Sequence, residues 1–71
     1  MTMNDWQSLM NRTARAYPGK TPRQVITQAM GVSDSTVTYN LHRIKAGQGA
    51  SVKFIGCVSI AKSKLFQKST R

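Results

Sequence analysis

Cys57, His42 and two acids, Asp5 and Asp34, are the whole stock of thiol, imidazole and carboxylate in this chain. A catalytic constellation or a metal shell needs several such groups converging on one point. One cysteine and one histidine do not supply that, so no enzyme activity, metal or cofactor is expected. Cys57 cannot form an intrachain disulfide and reads as a small apolar residue. What remains is positive charge. Eleven Lys and Arg against two acids leave a net charge of +9 on 71 residues. Such a field gathers polyanions. Nucleic acid, an anionic membrane and an acidic protein all satisfy it, and a compact basic chain points first to nucleic acid. No apolar run is long enough to cross a bilayer, and the N-terminus lacks the basic and apolar regions of a signal peptide. A cytoplasmic protein with no membrane partner is therefore expected.

The elements that position these residues are short, and 71 residues allow one domain, 1–71. Trp6, Leu9, Met10, Ala14 and Tyr17 share one helical face, so a first helix is expected over about Met1 to Tyr17, capped by Thr2 or Asn4 and stopped by Pro18-Gly19. Thr21-Pro22-Arg23-Gln24 has the pattern of a capping box with proline at the first helical position. It predicts a second helix over about Pro22 to Met30, with Val25, Ile26, Ala29 and Met30 turned inward. Ser33 can cap a third helix whose apolar positions are Val37, Leu41 and Ile44 and whose end is marked by Lys45-Ala46-Gly47. From Ser51 the β-formers Val52, Phe54, Ile55, Val58 and Ile60 surround Gly56, which predicts a β-hairpin or wing at about 51–66. Its turn falls at Gly56-Cys57 or at Lys62-Ser63-Lys64, and a short C-terminal helix at Ala61 to Lys68 is a third option. The polar tail from Gln67 to Arg71 is expected to fray. The fold class predicted is mainly α with a small β element: a three-helix core followed by the hairpin or wing.

Between the second and third helices, Gly31-Val32-Ser33 combines a residue free to turn, an apolar plug and a cap. The stretch from about Thr21 to Lys45 resembles the helix-turn-helix of phage Cro-type repressors and of many small bacterial regulators. With a basic β segment behind it, the chain is similar to small winged-helix regulators that control fimbrial operons, phages and plasmid maintenance. One position departs from that pattern: Thr27 stands where alanine or glycine is usual, four residues before the turn glycine, and can open the helix crossing.

The resemblance implies a recognition helix at about 33–45 in the major groove of double-stranded DNA, with Asp34, Ser35, Thr38 and Tyr39 toward the bases. Asp34 has a second reading, as an acid stabilising the positive end of its helix. Thr21, Arg23 and Gln24 suit phosphate at a helix N-terminus or serve as caps alone. Ser33, His42, Arg43 and Lys45 are further candidates for the DNA backbone. Lys53, Lys62 and Lys64 fall on the expected wing, as DNA contacts or as a solvated edge that discourages aggregation. Trp6 and Tyr17 read as core or interface aromatics. The function expected is sequence-specific transcriptional regulation, as repressor or activator, by two copies on repeated half-sites or by a homodimer. The alternatives are the DNA-binding part of a longer plasmid-maintenance protein, an RNA-binding module using Phe54 and Phe66, and a protein-binding anti-regulator.

Overall fold

The computed structural model describes residues 1–66. Among them are four α-helices and no strand: α1 Met3–Ala16, α2 Pro22–Met30, α3 Asp34–Lys45 and α4 Val52–Phe66. The expected frayed tail, 67–71, lies outside the described residues. No helix among them is long and apolar enough to cross a membrane.

Each helix begins and ends for a local reason. Thr2, not Asn4, starts α1 with a reciprocal capping box: the Asp5 N–H donates to Thr2 Oγ1 (3.1 Å) and the Thr2 N–H donates to Asp5 Oδ2 (2.9 Å). Donation to the carboxylate from the Thr2 N–H, and secondarily from its hydroxyl, favours the ionised form and holds the Asp5 pKa below its usual value. The box expected at Thr21 does not form, because Thr21 makes no side-chain cap. Pro22 starts α2 without it, having no N–H to satisfy and a ring that presets the helical φ. Gly31 ends α2 with a left-handed backbone (φ +73°), its N–H reaching the carbonyls of Thr27 and Gln28. Ser33 caps α3 through the Thr36 N–H at 3.3 Å. At its far end the Gly47 N–H donates to Ile44 O (3.1 Å) and the Gln48 N–H to Arg43 O (2.9 Å), the paired closure of a Schellman motif.

The hairpin or wing is overturned by α4. Phe54, Val58 and Ala61 are buried, with Leu65 partly buried against the same core, and their spacing of four, three and four residues is a helical stripe. Ser51 supplies the cap, its Oγ accepting from the Phe54 N–H at 3.1 Å. Gly56 occupies neither a turn nor a bulge: it lies in mid-helix with open space where a side chain would stand. Of the expected alternatives, only the C-terminal helix was of the right type, and α4 starts nine residues earlier than its expected Ala61.

The core draws on every helix: Trp6 and Leu9, then Ile26 and Met30, then Val37, Leu41 and Ile44, then Phe54, Val58 and Ala61. Helix α2 is the hub, packing on α1, α3 and α4. Trp6 meets Phe54 near the starts of α1 and α4, with ring centroids 6.1 Å apart. Tyr17 donates its hydroxyl to Leu65 O (3.1 Å) near their ends. These two helices therefore run in the same direction. Thr13, not Ala14, completes the inner face of α1; it is fully buried and donates its hydroxyl to Leu9 O (2.8 Å).

Two glycine substitutions test this architecture, and the second separates it from the winged one. Gly31→Ala forces a side chain into left-handed geometry with no steric contact to relieve, and should lower stability by about 1–2 kcal/mol. Gly56→Ala should raise it by about 0.5–1 kcal/mol, because alanine suits a helix interior better than glycine does. Urea unfolding curves of the two variants check both signs.

Candidate nucleic-acid interface

The short Gly31-Val32-Ser33 link sets α3 against α2 through residues with no freedom to be elsewhere. Ile26 and Val37 are 0% exposed, and each such burial is worth about 1.5–3 kcal/mol. Val32 is half-buried against the same core. Thr27 is accommodated there: it is buried, and its hydroxyl donates to Arg23 O at 2.6 Å within its own helix. With Val37, Leu41 and Ile44 turned inward, the opposite side of α3 carries Ser35, Tyr39 and His42, all exposed, with Tyr39 60% so. Helix α4 packs chiefly on α2 and meets α1 through Trp6–Phe54 and Tyr17–Leu65, while Ser35, Tyr39 and His42 on the outer side of α3 stay exposed.

The candidate residues fall into separate groups. Arg23, Asp34 and Thr38 come together at the start of α3: Arg23 Nε donates to Asp34 Oδ1 (2.9 Å), and its Nη2 donates to Asp34 O (3.2 Å) and to Thr38 Oγ1. Ser33 is engaged as the helix cap, with its hydroxyl 3.0 Å from that of Thr36. Tyr39 and Arg43 form a second pair one turn on, the guanidinium 5.8 Å from the ring centroid and anchored through Nε to Gly49 O (3.1 Å). His42 and Lys45 project from the last turns of α3 without protein partners among the described residues. Thr21 and Gln24 line an open groove of about 710 Å³ with Lys20 and Lys64, at the N-terminal end of α2.

The lysines assigned to a wing have other surroundings, since there is no wing among the described residues. Lys64 is on the α2 side of α4, its Nζ donating to Ala29 O (3.4 Å), where a cation also complements the negative end of α2. Lys62 faces α1, lining a shallow groove with Asp5, Ser8 and Arg12, and its charge adds slightly to the lowering of the Asp5 pKa. Lys53 is exposed on the first turn of α4. These three lysines do not form one strip.

Asn40 was missed by sequence reasoning. It is 3% exposed, donates through Nδ2 to Thr36 O (2.9 Å) and accepts through Oδ1 from the Ser51 N–H (3.0 Å), joining α3 to the cap of α4. Its signal was available: Asn40 lies three residues after Val37 and four before Ile44, on the buried face, where a polar side chain must have bonded partners. Phe54 is wholly interior, and Phe66 lies under the Arg12 guanidinium at 4.2 Å, so neither ring is laid out as a base-stacking platform. Among the described residues no cluster of three or more His, Cys, Asp or Glu is placed to hold a metal ion.

Comparison with family models, curated proteins and solved structures finds no match to this chain. If Asn40 is the link that fixes α4 behind α3, Asn40→Ala leaves the Ser51 N–H without its partner and should cost about 1–3 kcal/mol. Chemical denaturation of that variant beside Ser35→Ala, which touches only solvent and should be near neutral, provides the check.

Proposed function

We propose that this chain binds double-stranded DNA in a sequence-dependent manner, as a transcriptional regulator, with α3 entering the major groove. The observation that carries the proposal is the uncovered outer side of α3, bearing Ser35, Tyr39 and His42, in a chain of net charge +9. An α-helix fits the major groove, and hydroxyl, phenol and imidazole groups hydrogen-bond to base edges there. The N-terminal end of α2, with Thr21, Gln24 and Lys20 in one groove, favours backbone phosphate. The charge supplies the non-specific part of the affinity, which falls steeply with salt.

Base readout on this proposal rests with Ser35 and Tyr39, while Arg43, His42 and Lys45 flank the strand backbone. A few such contacts read only a few base pairs, so useful specificity calls for two copies on repeated half-sites. The Cro-like turn supports placing the chain among phage, plasmid or chromosomal regulators of repressor type. A cytoplasmic location follows from that role.

Footprinting after selection from random duplexes tests the proposal. Protected, salt-resistant sites are expected, and binding that vanishes at moderate salt with no preferred sequence would contradict it. Tyr39→Ala should alter which bases are preferred at about one position, at a cost of roughly 1–3 kcal/mol on the selected site, with the fold unchanged. An identical selected sequence for wild type and variant would remove Tyr39 from the readout.

A further inference from the structure

We infer that Asp34 acts on DNA through Arg23: with Thr38 it clamps the guanidinium across the start of α3 so that Nη1 meets a backbone phosphate. This rests on the duplex binding proposed above and gives Asp34 a positioning role in place of base readout. Arg23 comes from the first turn of α2 and Asp34 is the first residue of α3, so the clamp ties together the starts of the two helices that the turn joins.

A guanidinium has five N–H groups, one on Nε and two on each terminal nitrogen. Nε is committed to Asp34 Oδ1, and Nη2 donates both to Asp34 O and to Thr38 Oγ1. Nη1 makes no hydrogen bond among the described residues. A paired contact to guanine requires two neighbouring nitrogens of the fork, and both possible pairs include the occupied Nη2. A single open nitrogen suits a phosphate oxygen, which asks for one charge-assisted bond and carries no sequence. Thr38, as the acceptor for Nη2, is likewise drawn away from the bases.

The magnitudes say where the clamp matters. Asp34 is 72% exposed on its side chain and Arg23 35%, so the pair contributes little to folding. Its effect lies in holding a long, flexible side chain in its bound geometry, which removes an ordering cost from association. An acid on a surface that meets phosphate is repelled by it, so charge alone predicts that removing Asp34 tightens binding. Positioning predicts the opposite sign.

The experiment is fluorescence anisotropy of the full chain on its selected duplex and on a scrambled duplex, over a salt series, for wild type, Asp34→Ala, Arg23→Lys and the double variant. Asp34→Ala should weaken binding to both duplexes by the same factor, roughly tenfold, the scale of one charge-assisted bond. Arg23→Lys keeps the charge yet should weaken binding similarly, and the double variant should be no worse than either single one. Tighter binding of Asp34→Ala to both duplexes would overturn the clamp, and so would a changed preference between them, which would make Asp34 a base reader. A wild-type chain that binds neither duplex beyond a simple polycation would overturn duplex binding itself and the clamp with it, an outcome distinct from either.

Discussion

The left-handed backbone at Gly31 is the constraint on which the other features hang. A residue with a side chain resists φ of +73°, and without that angle the chain leaving α2 would not return within three residues to start α3 against it. Because it does return, Ile26 and Val37 reach one core and are sealed from water. The same return brings the first turn of α2 beside the first turn of α3, where Arg23 reaches Asp34 and Thr38. One backbone conformation therefore fixes both the inner packing and the outer polar edge.

Helix α4 determines what is left uncovered. It takes the far side of α2, its end tied to α1 through Tyr17 and to α2 through Lys64. The Asn40 amide holds its start, bonding back into α3 and forward to Ser51. A fourth helix in that position supports the helix pair from behind, while a wing would have stood beside it. Under the proposed function, contact with DNA then falls to α3 and the start of α2, and the lysines of α4 contribute mainly through the overall field.

The first three helices were legible because their signals are local and redundant. Pro18-Gly19, Pro22, Gly31, Ser33 and Gly47 mark boundaries, and the apolar residues between them recur at helical spacing. Helix α4 was misread because its composition argues against its period. Val52, Ile55 and Ile60 are apolar but exposed, and with the β-branched Val58 and the central Gly56 they gave the segment the look of a strand. The stripe of Phe54, Val58, Ala61 and Leu65 was present, and tertiary packing on α2 overrode the propensities of the rest. The exposure of the outer side of α3 was legible, and the bonding among its neighbours was not. Asp34 and Thr38 were expected toward the bases and Arg23 toward phosphate, because a guanidinium reaching across eleven residues depends on how closely the two helix starts approach. Asn40 and Thr13 were overlooked for a different reason: polar residues on an inner face are easily counted as gaps in an apolar pattern, although burial obliges them to hydrogen-bond.

The central claim is that the outer side of α3, together with the start of α2, is the surface offered to DNA while α4 stays behind it. Backbone amide chemical-shift changes on titration with a selected duplex address this residue by residue. Changes concentrated at Thr21 to Gln24 and Ser33 to Arg43, with Ile55 to Ile60 of α4 unmoved, are the predicted result. Changes centred on α4 while Ser35, Tyr39 and His42 remain in place would contradict the account.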